Sequence, residues 1–218
     1  MTNPLVVLDR ALLGDGSVAA LQISHGIIQA ITPSGKVPPG AKVIDLDGAL
    51  LLPGFVEGHI HLDKCFIGDD WHSYRRGNSI ADRIRIEREE LATARPVLER
   101  ARALVEQCIA NGSAFIRTHV DIDPDIGFKH FEAMIAVREE YRDAVDIQIV
   151  AFPQHGLIVK PGTLELIAEA IDSGAHIVGG LDPATFDRDV DGHLDAIFAL
   201  AERKGVGLDI HLHDGGEL

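Results

Sequence analysis

The sequence predicts an α/β protein in which parallel strands alternate with amphipathic helices behind a small all-β segment. Three observations predict it. From residue 54 onward, short apolar runs alternate with stretches whose apolar residues recur at helical spacing. Those runs are hydrophobic at nearly every position, as strands of a sheet covered on both faces must be. Before residue 53 the helical rhythm is absent, and short runs are separated by turns rich in Gly and Pro.

The elements follow in order. Leu5–Leu8 is a first apolar run, and Ala19–Ile23 and Ile27–Ile31 flank His25-Gly26 in the pattern of a hairpin. Pro38-Pro39-Gly40 interrupts, and Lys42–Gly48 adds another alternating strand. Residues 1–52 therefore read as a small β unit with too little core to stand alone. Beyond it, strands are expected over Phe55–Leu62, Ala114–Ile122, Val145–Phe152, Ile177–Leu181 and Gly207–Leu212. Helices are expected over Pro96–Ala110, Phe128–Tyr141, Thr163–Ile171 and Asp191–Arg203. The first carries Val97, Ala101, Leu104, Val105 and Cys108 at helical spacing and stops at Asn111-Gly112, a C-cap signal. Strand following helix following strand implies parallel pairing through right-handed crossovers. An open doubly wound sheet and a closed (β/α)8 barrel both satisfy this pattern.

Composition narrows the partners. The chain has 218 residues, 46% hydrophobic and 25% charged, which suits a folded chain with a sizeable core. A formal charge of -14 argues against nucleic acid or an anionic membrane, since both need a basic face. No run approaches the roughly 20 apolar residues of a membrane span. Met1–Leu5 has no basic start leading into an apolar segment, so no secretory signal is expected. Cys65 and Cys108 form no close-spaced pair, which argues against a disulfide framework and for a reducing, cytoplasmic location.

The strand ends carry the chemistry. They read His59-Ile60-His61, Arg117-Thr118-His119-Val120-Asp121, Pro153-Gln154-His155, Asp182-Pro183 and His211-Leu212-His213-Asp214. In a parallel barrel all such ends meet at one rim, where active sites sit. Residues i and i+2 of a strand share a face, so His59 with His61, and His211 with His213, would point together toward the barrel axis. Neutral imidazole is the commonest metal ligand, and three protein ligands plus water make a catalytic site. A pair of core histidines satisfied by backbone carbonyls is the alternative for one His-x-His; two such pairs at strand ends favour the metal.

These residues also carry a resemblance. Leu52-Pro53-Gly54-Phe55-Val56-Glu57-Gly58-His59-Ile60-His61, His61-Leu62-Asp63-Lys64, Arg117–Asp121, Val150–Gln154, Val178–Thr185 and Asp209–Asp214 resemble the amidohydrolase superfamily, and within it the cytosine deaminase and N-isopropylammelide isopropylaminohydrolase group. The resemblance implies a metal-dependent hydrolase-type (β/α)8 TIM barrel, of which residues 53–218 would be the first five β/α units, with residues 1–52 as part of a small β-sandwich. It implies one divalent metal, zinc or iron, with manganese also compatible, on His59, His61 and His211. Imidazole ligands serve all three metals. The implied reaction is attack of hydroxide, generated on the metal at neutral pH, on a ring carbon bearing an amino or alkylamino group of a cytosine- or aminotriazine-like heterocycle. Gln154 matches a glutamine that hydrogen-bonds the heterocycle, an amide being able both to donate and to accept; a capping or loop role is its alternative. Asp182 is either a substrate contact or an Asp-Pro turn. Asp214 stands where the family's deaminases carry a proton-shuttling glutamate, one methylene longer, and His213 would orient substrate or neighbouring groups.

His119 and Asp121 are expected to support the ligands, and His25, His72, His130, His176 and His193 to be surface or turn residues. The strand Ile177–Asp182 lacks the lysine that bridges two metals in binuclear relatives, so one metal is expected. Phe66–Ala92, arginine-rich and carrying Trp71, is expected over the site mouth, either as a lid that touches substrate or as a solvated loop and helix. The family's sixth-strand histidine and eighth-strand aspartate are not in these residues. The chain is therefore expected to be a portion of a longer enzyme, inactive alone, joining a missing C-terminal half or forming a homo-oligomer. Hydrolysis of a cyclic amide and an inactive metal-binding half-barrel are the competing readings.

Overall fold

A computed structural model describes residues 5–212, the side chains of residues 80 and 81 apart. The chain divides into two compact units, residues 1–53 and 54–218.

The small unit is one mixed sheet among the described residues. Strands β1 (Val6–Leu12), β2 (Val18–Ser24), β3 (Ile27–Pro33) and β4 (Lys42–Asp45) lie in the order β3-β2-β1-β4. In this sheet β4 lies parallel to β1, whereas β1, β2 and β3 pair antiparallel. His25 and Gly26 both have positive φ (52° and 74°), as a two-residue type I′ hairpin demands.

The large unit is a parallel sheet ordered β5-β6-β7-β8-β9, formed by Phe55–Ile60, Ser113–Asp121, Asp146–Phe152, Ile177–Leu181 and Gly207–His211. Helices α1 (Ile80–Leu91), α2 (Val97–Ala110), α3 (Lys129–Tyr141), α4 (Thr163–Asp172) and α5 (Val190–Lys204) fall between strands. One stripe of each of α2 to α5 packs on the sheet. Ala101, Val105, Met134, Ile167 and Ile197 meet Ile116, Ile149 and Val178 in a single core. Each fully buried Val, Ile or Met side chain there contributes about 1.5–3 kcal/mol. The helix ends obey local chemistry: the Asp189 carboxylate accepts from the Gly192 N–H at the start of α5, and Gly205 closes it with φ 66°. Between β8 and α5, Pro183–Asp187 forms a π-helical turn.

The sheet is strongly curled. β5 and β9 are its two edges among the described residues, yet the rings of His59 and His211 lie 4.5 Å apart. Five strands thus trace an arc whose concave face is the lumen of a barrel. Register places Arg117 beside Gln148, His119 beside Val150 and Asp121 beside Phe152, and Gly179 beside Asp209 and Leu181 beside His211. Among the described residues, no helix is long and apolar enough to cross a membrane.

Candidate metal centre

Strand parity delivers imidazoles to the lumen. His59 and His61 flank the end of β5, with rings 5.5 Å apart, and His211 ends β9. His119, on β6, joins them: its ring lies 4.5 Å from those of both His59 and His211. One ring nitrogen from each of the four lies within 4.8 Å of the others. The Phe152 ring, 4.3 Å from His211, forms an apolar wall.

The donor set suits a metal ion. His61 Nδ1, His119 Nδ1 and His211 Nε2 are buried without hydrogen-bond partners. Buried polar atoms are ordinarily paired, and unpaired ones in a cluster point to an absent ligand. Burial pushes the His61 imidazole down to about 3, helped by the Lys64 ammonium. Burial and the neighbouring imidazoles push His211 down to about 4. His119 is also lowered, burial outweighing the pull of Asp209. At neutral pH these rings are uncharged, with lone pairs available to a cation.

The polar groups around the cluster form a connected frame. The Leu62 N–H donates to Thr118 Oγ1 at 3.1 Å, tying the end of β5 to β6. Asp63 Oδ2 accepts from the Asp121 N–H and contacts His130 Nδ1, both at 3.0 Å. Burial alone would raise the Asp63 carboxyl, but His130 and Lys64 hold it low. Lys64 Nζ sits 3.1 Å from Asp121 and 3.5 Å from Glu87 of α1. Its burial is outweighed by these carboxylates, which keep it charged, while burial pushes Asp121 up. From α2, Arg100 donates to the carbonyls of Asp63 and Cys65, clamping the turn that follows the histidines.

A cleft of about 320 Å³ opens at the strand ends, between Ile84, Glu87 and Leu91 of α1 and Asp121, His130 and His155. Helix α1 thus forms one wall of this cleft. Trp71 is 86% exposed and lines a different cleft, with Phe66, His72 and Arg75. Gln154, after β7, is half-buried. Asp182 is buried at the end of β8, its N–H donating to the His211 carbonyl at 2.7 Å while its Oδ2 has no partner. His213 and Asp214 lie outside the described residues.

Two histidines expected as surface or turn residues lie inside. His130, on α3 with its side chain only 12% exposed, reaches the buried Asp63 at 3.0 Å. His193 is fully buried, because its ring pairs with the buried Asp187. His119, expected as a support, stands within the cluster itself. Its parity with Arg117 and Asp121 on β6 was the signal, since the same face carries all three into the lumen.

A curled parallel sheet with imidazoles gathered at its strand ends defines part of a (β/α)-barrel protein with a candidate metal centre. The chain belongs to the amidohydrolase family, whose sequence profile matches residues 42–218. It is 39% identical over 184 residues to the N-isopropylammelide isopropyl amidohydrolase of Pseudomonas sp. (strain ADP), covering 79% of this chain and 44% of that one. Its fold matches the crystal structure of N-isopropylammelide isopropylaminohydrolase from Burkholderia multivorans ATCC 17616 with a TM-score of 0.90 at 40% identity, over 98% of this chain and 54% of the other. The 5-methylcytosine deaminase of Klebsiella pneumoniae matches with a TM-score of 0.77 at 32% identity, over 95% and 51%. The chain thus spans about half the length of the relatives it matches.

Proposed function

We propose that the protein of which these residues form part is a metal-dependent aminohydrolase that removes an amino or alkylamino group from a ring carbon of a nitrogen heterocycle. The observation that carries this reading is the cluster of His59, His61, His119 and His211, with a buried, unpartnered ring nitrogen on each of His61, His119 and His211. The relatives named for N-isopropylammelide and 5-methylcytosine point to a triazine- or pyrimidine-like ring.

In this reading His59, His61 and His211 hold one divalent ion, zinc or iron, with His119 beside them. Such an ion would lower the pKa of a water molecule and so supply hydroxide at neutral pH. The chain's own residues do the rest. The frame of Asp63, Lys64, Asp121 and Arg100 fixes the turn after His61, so the ligands need not reorganise on binding. Gln154 would present both a donor and an acceptor to the ring edge, and the free Asp182 Oδ2 would accept from a ring N–H or amino group. Asp214 and His213 would carry the proton that the departing amine gains. Phe152 keeps one side of the site apolar, which favours a flat heterocycle over bulk water.

The test is an assay of the full-length protein on amino-substituted pyrimidines and triazines. Release of ammonia or alkylamine without ring opening, lost on chelation and restored by zinc or iron, is the expected result. Ring opening of a cyclic amide instead, or activity indifferent to chelation, overturns the proposal.

A further inference from the structure

The imidazoles come from strands that are not neighbours. β5 and β6 pair directly, but β9 is separated from β6 by β7 and β8. Backbone ladders connect only adjacent strands, so no ladder sets how far β9 curls toward β6. Beneath the histidines a side-chain contact does span that gap. Arg117 Nη1 on β6 donates to Asp209 Oδ2 on β9 at 2.9 Å. Arg117 Nε donates to Gln148 Oε1 on β7 at 2.7 Å, which fixes the plane of the guanidinium. The second carboxylate oxygen, Asp209 Oδ1, lies 3.1 Å from His119 Nε2. Arg117 and Asp209 each stand two residues before a lumen histidine, His119 and His211, and so share its face. β8 contributes no side chain to this level of the lumen, because the residue beside Asp209 is Gly179.

We propose that the Arg117–Asp209 pair is a strut across the barrel lumen that sets the distance between the β9 histidine and those of β5 and β6, and thereby the metal affinity of the centre. Both are positioning residues, not ligands. The inference rests on the metal-centre reading and extends it to two residues that touch no metal. The contact joins residues 92 positions apart in sequence and is only partly exposed, at 35% and 21% of the two side chains. Its guanidinium is held at two points, so it transmits position better than a mobile surface pair would.

The experiment titrates zinc into metal-free full-length protein by competition with a chromophoric chelator, and records the cobalt-substituted absorption spectrum. Arg117→Met is the discriminating variant, since Arg117 touches Asp209 but no histidine. Arg117→Met and Asp209→Asn should each raise the zinc Kd by about 10- to 100-fold, the usual effect of removing a group that orients metal ligands. The cobalt bands should shift, the double variant should be no worse than either single one, and Arg117→Lys should recover part of the loss. Arg102→Met, which breaks the α2–α3 pair Arg102–Glu140 of comparable exposure, should leave Kd unchanged. A wild-type Kd in a folded Arg117→Met variant overturns the strut. So does weakened binding in Asp209→Asn alone, which would trace the effect to the His119 contact. If Arg117→Met does not fold, Arg117→Lys with an unchanged Kd and spectrum overturns it equally. If the unaltered protein binds no zinc, the metal-centre reading falls, and the strut falls with it.

Discussion

His193 Nδ1 lies 2.5 Å from Asp187 Oδ2, and both side chains are fully buried. The same carboxylate accepts from the backbone N–H groups of Leu157, Ile158 and Val159. One aspartate in the π-helical turn after β8 thereby anchors the loop after β7 and the first turns of α5. Gly156 makes the wrap possible: its φ is 90°, and a Cβ there would approach Asp187 Oδ1 to 2.8 Å. The two loops joined in this way are those that carry Gln154 and Asp182.

Replacing Asp187 by Ala should therefore be among the more damaging substitutions. It strands a buried imidazole and three backbone donors at once. Breaking a buried pair from one side costs about 3–5 kcal/mol. Denaturant unfolding of the full-length protein should show a loss of unfolding free energy of that size, while Asp143→Ala, at an exposed position, should change it by less than about 0.5 kcal/mol.

The same carboxylate gives an acid limb to stability. Burial alone would raise the Asp187 pKa, but His193 and the backbone N–H groups outweigh it and hold the value below the ordinary 3.8. A depressed folded-state pKa means the stabilisation is complete above the unfolded value and is lost as pH falls through the folded one. The Tm difference between the natural protein and Asp187→Asn should be smaller below pH 4 than at pH 5. A difference that grows on acidification would reverse the sign and exclude this origin.

Strand parity made His59, His61 and His211 legible, because a period of two needs no tertiary information. The four amphipathic helices were legible for the same kind of reason, the end of α2 being marked by Asn111-Gly112. Contacts were not. Arg117 and Asp209 meet across a lumen, 92 residues apart, and nothing in either strand's own pattern announces the other. Asp187 and His193 are six residues apart, but a π-helical turn followed by a cap at Asp189 sets their approach, and that geometry has no periodic signature. A helix within Phe66–Ala92 was one of two open readings; the bounds of α1, Ile80–Leu91, were not legible, because the segment is mostly charged, and the Ser79 cap marks its start.

Gly179 tests how tightly β8 is held against β7. A Cβ at this position would come within 2.5 Å of the Ala151 carbonyl oxygen and 2.9 Å of the Phe152 Cα. Backbone cannot swing aside as a side chain can, so Gly179→Ala must push the strands apart. A loss of about 1–3 kcal/mol is expected from such overpacking. Gly207→Ala at the start of β9 meets nothing within 4 Å and should be close to neutral. Thermal melts of the two variants separate local crowding from a general intolerance of alanine in this sheet.

Metal stoichiometry and the part played by His119 can be read together. The strand Ile177–Leu181 offers no bridging lysine, and the four imidazoles form one compact cluster, so elemental analysis should return one ion per chain. His61 and His211 each hold a buried, unpartnered nitrogen with burial favouring the neutral ring, and His61→Ala or His211→Ala should abolish stoichiometric zinc binding. His119 also holds a buried, unpartnered Nδ1, and its Nε2 faces Asp209 at 3.1 Å. If it supports the site, His119→Ala should weaken zinc binding by about 10- to 100-fold and leave one ion per chain at saturating metal. If it is itself a ligand, His119→Ala should match His61→Ala, and the cobalt spectrum should change in coordination number as well as in intensity. Equilibrium dialysis of the three variants against zinc decides between these outcomes.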